Sequence, residues 1–382
     1  MKKIIIVSDS LRIGGIQKSL RNLLDVIDYN KYDVSLLLFN DNYPNDLNKN
    51  IHLLKSNSIL RIIGLTKKEA KEKGKITYLI RLLLAVFCKL FGSDFVYNMI
   101  YLFTKKQRGY DIALSYSNNG SPKTVYYGYN KFVLKKVQAK TKMTYLHVDY
   151  ETMNMDNKKN RIEYEQFDKI LTVSEYAKKM FLKYNKDSEN KVEVLYNTIP
   201  ININTKMKNP YNTKKFIITT AGRLDDNKDP LLQIEIAKEL VTKKLDFKWY
   251  FIGDGNLRKE VEEKIKEYKL EKYVCLLGNK QDVYPYLKFA NVYVSTSKSE
   301  SYGLSIVESL LLNTVVVAKE YPALHEIITD NGFICKDKQE IINILEKLMK
   351  SEDFYNNSLK KSILNIDNKK IMKKFDKIFK GV

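Results

Sequence analysis

The chain has 382 residues, of which 44% are hydrophobic, and it carries 66 Lys and Arg against 45 Asp and Glu, a formal net charge of +21. This length predicts two globular domains, and no apolar run reaches the roughly 20 residues that a membrane-spanning helix needs. Three scattered cysteines and three histidines exclude a disulfide framework and a His-built metal centre, so we expect a reducing cytoplasm.

The positive charge is concentrated in one part of the chain. Residues 51–150 hold 18 Lys and Arg against 5 Asp and Glu, whereas residues 151–382 hold 41 against 34. A basic surface can serve nucleic acid, anionic lipid or a polyanionic substrate. Arginine is scarce, with 8 residues against 58 lysines, so each arginine is a candidate for a specific role.

The chain opens with the pattern of a Rossmann-like unit. Residues 4–8 are predicted as a strand, Gly14 and Gly15 follow in a turn, and residues 16–27 are predicted as an amphipathic helix. Glycines in this turn would let a phosphate or a sugar approach the backbone. A plain tight turn has the same pattern.

Residues 76–91 are predicted as a helix that is apolar almost all round, with Thr77, Arg81 and Lys89 on one narrow stripe. The apolar pattern continues over residues 94–103, and Lys-rich segments lie on both sides. Such a segment suits the surface of an anionic membrane, and the local excess of positive charge favours that interpretation. A core helix of the first domain is the alternative.

A strand predicted at residues 142–147 ends in His147. The carboxyl ends of parallel strands are where open α/β sheets bind ligands. Taken alone, His147 is better explained as a structural histidine, whereas the whole pattern of the chain favours a role in a site. The polar stretch 204–215 is predicted as an interdomain linker.

The second domain begins with a strand predicted at residues 216–221, which Arg223 and Lys228 follow. Two cations five residues apart after a strand suit a diphosphate. A solvated turn is the alternative.

The most informative segment leads from a predicted buried strand into a helix predicted over residues 304–312. The backbone N–H groups of Gly303 and Leu304 lie at the positive end of that helix, which is a phosphate site. Glu300 and Glu308 flank the turn, and a ribose diol would supply the donors that a carboxylate on an apolar helix face needs. An ordinary helix start, with Glu308 paired to a lysine, is the alternative.

The segment from Glu300 to Glu308 resembles the Glu–seven residues–Glu motif of the retaining glycosyltransferases of family four, which have the two-domain GT-B fold. Gly222-Arg223-Leu224 with Lys228 resembles that family's Gly-Arg-Leu…Lys signature. The likeness is strong over residues 216–334 and weaker before residue 142. Residues 319–323 lack the glycines that family members usually have there.

The alternation of strands and helices predicts an α/β class with parallel sheets, and the resemblance implies two Rossmann-like domains facing a central cleft. We expect an N-terminal acceptor-binding domain over residues 1–205, with 76–103 as a membrane-interface segment. A C-terminal nucleotide-sugar-binding domain would cover 206–360. A final helix within 361–382 would cross back onto the N-terminal domain.

The resemblance also implies a donor site, with Glu300 on the sugar hydroxyls and Glu308 on the ribose. Catalytic candidates are Glu300, His147, Arg223 and Lys228. Arg223 and Lys228 would stabilise the leaving diphosphate, so no metal or other cofactor is expected. The implied donor-binding residues are Gly14, Gly15, Arg223, Lys228, Lys280, Gln281, Glu300, Ser301, Tyr302, Gly303, Leu304 and Glu308.

The predicted function is retaining transfer from a nucleotide sugar, with UDP-sugars expected from family frequency. The acceptor would be a lipid-linked or polyanionic glycan in bacterial envelope synthesis, such as capsule or teichoic acid, at the inner face of the cell membrane. One alternative is a non-catalytic GT-B-like subunit that binds glycan or a partner, but the motif residues are kept. The other is a nucleic-acid binder, but no recognised motif for that role is present, so no nucleic-acid partner is expected.

Overall fold

The computed structural model describes residues 1–12, 14–119, 122–153, 155–201, 203 and 206–381. The chain divides into two compact units, of which the first contains residues 1–201 and 367–382 and the second contains residues 202–366. Each unit is built on a parallel sheet, which confirms the predicted α/β class with two Rossmann-like domains.

The described part of the first unit contains seven parallel strands. They are β1 (Lys2–Ser8), β2 (Tyr32–Leu38), β3 (Ile51–Leu54), β4 (Gln107–Ser115), β5 (Val137–Leu146), β6 (Lys169–Thr172) and β7 (Val192–Val194). Their order across the sheet is β3-β2-β1-β4-β5-β6-β7. The central strands read as continuous apolar runs because helices cover both faces of a parallel sheet.

Helices of the first unit connect these strands. They are α1 (Gly15–Val26), α2 (Ser58–Gly64), α3 (Lys67–Glu72), α4 (Lys75–Phe91), α5 (Ser93–Leu102), α6 (Tyr129–Lys136), α7 (Lys158–Glu165) and α8 (Glu175–Tyr184). A 3₁₀ helix covers Lys186–Lys191. Among the described residues, no helix combines the length and the apolar character needed to cross a lipid bilayer.

The second unit repeats this plan. Its described strands are β8 (Phe216–Ala221), β9 (Phe247–Ile252), β10 (Val274–Leu276), β11 (Val292–Ser295), β12 (Val315–Lys319) and β13 (Phe333–Cys335). Their order is β10-β9-β8-β11-β12-β13. The helices are α9 (Pro230–Thr242), α10 (Arg258–Glu267), α11 (Tyr284–Lys288), α12 (Leu304–Leu311), α13 (Lys338–Lys350) and α14 (Glu352–Lys361), with a 3₁₀ helix over Pro322–Glu326.

A last helix, α15 (Asn368–Lys380), packs on the first unit. The phenol of Tyr32, at the start of β2, donates to Asp376 Oδ1 over 2.9 Å. The rings of Phe375 and Phe379 lie 5.5 and 6.3 Å from the Tyr32 ring, both edge-on. Aromatic packing and several hydrogen bonds, including those from Lys2 and Lys31, therefore hold α15 against the sheet.

Each sheet has a point at which the strand order reverses. This point lies between β1 and β4 in the first unit and between β8 and β11 in the second. Loops that leave the carboxyl ends of such a strand pair diverge to opposite faces and leave a crevice that binds ligands. The topology therefore marks one candidate ligand crevice in each unit.

His147 follows β5 in the first unit. Its ring lies between those of Tyr116 and Tyr145, at centroid distances of 4.6 and 4.2 Å. Burial lowers the pKa of the imidazole to about 3, and within the described part of the chain its buried Nε2 has no hydrogen-bond partner. His147 is therefore neutral at physiological pH, and its role as a catalytic candidate stays a prediction.

This burial predicts a loss of stability in acid. Below pH 6.5 the unfolded chain binds a proton at His147, whereas the buried ring of the folded chain does not. The free energy of unfolding therefore decreases as the pH is lowered. Between pH 7.5 and 5 the wild type should lose about 2 kcal/mol more than His147→Phe, which keeps a ring in place. Urea titrations at both pH values measure this difference.

The control is Tyr116→Phe, which alters the same packing but keeps the titrating ring. It should change stability at both pH values while retaining the wild-type pH dependence. Equal pH dependence for wild type and His147→Phe would contradict the burial of a neutral imidazole.

Candidate functional site

The candidate site of the second unit lies where β8 and β11 end, at the reversal of the strand order. A small pocket open to solvent is lined by, among others, residues 220–224, Lys228 and residues 295–297. Its walls therefore come from the loops that follow the two central strands. The topology and the two predicted cations point to the same place.

An ion pair between Lys228 and Glu300 joins the two loops. Lys228 Nζ donates to Glu300 Oε1, and the Ser297 hydroxyl donates to the same oxygen over 2.9 Å. The two charged side chains are 24% and 19% exposed. Burial lowers the pKa of Lys228, but the Glu300 carboxylate outweighs this and raises it above its ordinary value, so Lys228 is a cation in the pocket.

Further hydrogen bonds hold the loops in register. The Asn227 side chain donates to the Ser299 carbonyl over 2.8 Å, and the Lys298 N–H donates to the Asn227 carbonyl over the same distance. The Thr296 hydroxyl donates to the Lys228 carbonyl over 2.9 Å. The ion pair thus sits on a backbone that is already fixed, so little ordering remains to be done when a ligand binds.

Arg223 presents its charge differently. Its side chain is 78% exposed, and one guanidinium nitrogen lies 3.1 Å from Asp225 Oδ2. An ion pair this exposed contributes little to stability. The guanidinium can therefore leave Asp225 for an anion at the pocket mouth, while Lys228 is held in place.

The turn at Gly303 presents backbone donors at the start of α12. Gly303 has φ 76° and precedes α12, so the first N–H groups of the helix point out of its amino end. A Cβ at residue 303 would lie 2.6 Å from the Tyr321 hydroxyl. Tyr321 is 2% exposed, and in the described structure its hydroxyl has no hydrogen-bond partner.

The remaining motif residues are buried around this turn. Ser301 and Tyr302 are 9% and 3% exposed, and Glu308 is 3% exposed within α12. The pKa of the Tyr293 phenol is raised to about 12, chiefly by burial. The Lys228 charge opposes this increase, and the carboxylates of Glu300 and Glu308 add to it. Tyr293 therefore lies within electrostatic reach of both glutamates and of the lysine.

The other predicted donor-binding residues of the second unit lie away from this pocket wall. Lys280 and Gln281 follow β10, and Lys280 Nζ lies 5.9 Å from the centre of the Tyr286 ring. Gln281 is exposed. Their assignment to the nucleotide stays a prediction.

Gly14 and Gly15 lie in the first unit, at the start of α1. Beside them is a polar cluster that the sequence did not predict: the Gln17 amide donates to both carboxylate oxygens of Asp9, over 3.0 and 2.8 Å, and Ser117 donates to Asp9 over 2.8 Å. Asp9 comes just after β1 and Ser117 just after β4. Polar residues at the ends of strands are therefore the sequence feature that could have indicated this cluster. The role of the two glycines stays a prediction.

Part of the chain matches a known protein family. Residues 202–363 match the family model described as Glycosyl transferases group 1. Over 345 residues the chain is 26% identical to the Campylobacter jejuni N-acetylgalactosamine-N,N'-diacetylbacillosaminyl-diphospho-undecaprenol 4-alpha-N-acetylgalactosaminyltransferase, and the match covers 87% of this chain and 85% of that protein.

Solved structures share the architecture of both units. HepE of Anabaena, in complex with UDP and glucose, superposes with a TM-score of 0.66 at 15% identity, and the match covers all of both chains. A mutant of S. aureus TarM, in complex with Fondaparinux, alpha-GlcNAc-glycerol and UDP, superposes with a TM-score of 0.66 at 14% identity. The match covers 99% of this chain and 100% of that one. At such low identity this likeness shows the fold alone. The predicted GT-B fold is thus confirmed, and residues 202–363 resemble a glycosyl transferases group 1 domain.

Proposed function

We propose that this chain is a retaining glycosyltransferase of family four that moves a sugar from a UDP-sugar to a lipid-linked glycan. The observation that carries the proposal is a pocket lined by Arg223 and Lys228, at which Lys228 pairs with Glu300. We propose that the amino end of α12 at Gly303 completes the site, so that an ammonium, a guanidinium and a helix end receive the diphosphate. A nucleoside diphosphate needs all three because it carries several charged oxygens.

The chemistry follows from where charge develops. As the bond between the anomeric carbon and the diphosphate breaks, negative charge grows on the leaving oxygen. Lys228, Arg223 and the N–H groups after Gly303 stabilise it. Since these groups supply the positive charge, we propose that no metal cofactor takes part.

Retention is proposed to occur by attack on the face from which the diphosphate leaves. The acceptor hydroxyl bonds to the anomeric carbon, the carbon–oxygen bond to the diphosphate breaks, and the hydroxyl proton passes to the leaving diphosphate. This attack needs no carboxylate nucleophile, so Glu300 is proposed to hold the sugar hydroxyls and Glu308 the ribose.

The acceptor class rests on relatives. The Campylobacter protein described above acts, by its name, on a diphospho-undecaprenol-linked sugar. We propose a lipid-linked glycan acceptor for this chain too, within synthesis of a bacterial envelope polysaccharide such as capsule or teichoic acid. The enzyme would then work in the cytoplasm at the inner face of the membrane.

Nucleotide binding tests the role of the exposed cation. Arg223→Ala should raise the Kd for UDP about tenfold, because a charge-assisted hydrogen bond to phosphate is lost. Isothermal titration of UDP measures this change. The matched control is Arg161→Ala, since Arg161 also pairs with an aspartate on the surface but belongs to the first unit. Equal Kd values for wild type and Arg223→Ala would remove Arg223 from the site.

The two glutamates are tested by transfer activity. Glu300→Gln and Glu308→Gln should each lower sugar transfer about 100-fold, because neither amide replaces a carboxylate that accepts from hydroxyl donors. The assay is UDP release from a panel of UDP-sugars with bacterial lipid extract as acceptor. Glu320→Gln, at an exposed glutamate that contacts His325, is the control and should keep wild-type transfer. Full activity in either test variant, with normal folding, contradicts its assigned role.

The turn at Gly303 is tested by adding one carbon. Gly303→Ala should lower the free energy of unfolding by about 1–2 kcal/mol and weaken UDP binding, because both φ and the Tyr321 contact oppose a Cβ. Gly109→Ala is the control for φ alone, since Gly109 has φ 85° with open space around its Cβ position. Normal UDP affinity in Gly303→Ala would show that the diphosphate does not need this turn.

A further inference from the structure

The largest unexplained feature of the first unit is an apolar surface on α4 and α5, here called the α4–α5 face. It is defined by the exposed hydrophobic side chains of these two helices. Among them, Leu79, Leu83, Val86, Leu90, Phe95 and Leu102 are each 50–70% exposed. On α4 they recur at spacings of three and four, so they share one side of the helix.

The helix is turned opposite to an ordinary surface helix. Arg81, one of the few polar residues of α4, is 3% exposed, and its Nε–H donates to the Leu65 carbonyl over 2.8 Å. Cys88 is also buried. A helix on a water-facing surface buries its leucines and exposes its arginine, so this orientation needs an apolar partner outside the unit.

The two helices form one continuous surface. The rings of Phe87 and Phe91 are stacked, with a distance of 5.7 Å between their centroids. The centroids of Phe91 and Phe95 lie 5.8 Å apart, across Gly92 between the two helices. This row of rings runs from the end of α4 into α5. The apolar area is therefore broader than one helix and larger than the scattered apolar residues of ordinary protein surfaces.

Positive charge borders this surface. Residues 67–108 contain ten Lys and Arg against three acidic residues. Two of the acids, Glu69 and Asp94, already pair with Arg12 and Lys131. The lysines at 67, 68, 71, 73 and 75 lie before the apolar stretch, those at 105 and 106 lie after it, and all are exposed.

This charge decides between two apolar partners. A second copy of the chain would cover the face symmetrically but would bring its own excess of positive charge against this one. An anionic bilayer covers the face with acyl chains and meets the lysines with negative headgroups. Charge complementarity therefore favours lipid over a homodimer.

We infer that the α4–α5 face docks the enzyme on an anionic lipid bilayer, with both helices lying in the interface and the flanking lysines on the headgroups. The inference deepens the proposed function. It rests on that function only in one respect, namely that docking would bring the site to a lipid-linked acceptor. The docking itself needs neither donor nor acceptor and is measured without them.

The test is flotation of the full chain with vesicles of phosphatidylglycerol and phosphatidylcholine, against vesicles of phosphatidylcholine alone. The fraction of the chain that floats with the anionic vesicles should be at least tenfold larger than the fraction that floats with the neutral ones. The Leu83→Glu/Leu90→Glu variant should bind the anionic vesicles at least tenfold less than the wild type. The control is Ile162→Glu/Ile363→Glu, which adds the same charges at two other exposed apolar positions and should bind like wild type. These substitutions are at exposed sites, so folding should survive, and circular dichroism checks it.

The lysine contribution is tested separately. Lys105→Gln/Lys106→Gln should lower binding to the anionic vesicles about tenfold, whereas Lys360→Gln/Lys361→Gln, an exposed pair on the second unit, should not. Equal losses in the two pairs would show a response to net charge alone and would overturn docking by this face.

The inference is overturned if the wild type does not bind anionic vesicles, or if Leu83→Glu/Leu90→Glu binds them as the wild type does. It is also overturned if light scattering shows that the wild type is a dimer and this variant a monomer, while neither binds vesicles. UDP titration of the same samples separates the two proposals. Normal UDP affinity without vesicle binding removes the docking surface only, whereas vesicle binding without UDP affinity removes the proposed function only.

Discussion

The ion pair between Lys228 and Glu300 is the contact on which the candidate site depends. It ties the loop after β8 to the loop after β11, which are the two loops that diverge at the reversal of the strand order. Both charges are largely removed from water, so each needs the other, and loss of one partner would leave an uncompensated charge. The pair therefore holds a cation at the place where parallel sheets bind ligands, before any ligand arrives.

The surrounding groups divide the work of binding an anion. Lys228 is held by Glu300, Arg223 extends into solvent with only a weak exposed partner, and the turn at Gly303 presents backbone donors. Under the proposed function, a diphosphate entering this pocket would compete with Glu300 for Lys228, and the released carboxylate would become available for sugar hydroxyls. Donor binding and the assembly of the sugar site would then be coupled through the Lys228 side chain.

Most strands were predictable from sequence because buried parallel strands are continuous apolar runs: residues 216–221 were predicted, and β8 spans Phe216–Ala221. The final helix predicted within residues 361–382 begins only at Asn368, because α14 ends at Lys361 and Asp367 caps the new helix. Arg223 and Lys228 line one pocket, and Glu300 pairs with Lys228 there, as their positions after two central strands suggested. The pairing of Lys228 with Glu300, and the outward orientation of the apolar side of α4, depend on tertiary packing, which periodicity does not reveal.

The most direct measurement is a crystal structure of the chain with UDP bound. The diphosphate should lie within hydrogen-bond distance of Lys228 Nζ and of the backbone N–H groups after Gly303, with the Lys228–Glu300 pair opened. A diphosphate bound elsewhere, with this pair intact and the Gly303 turn untouched, would contradict the account.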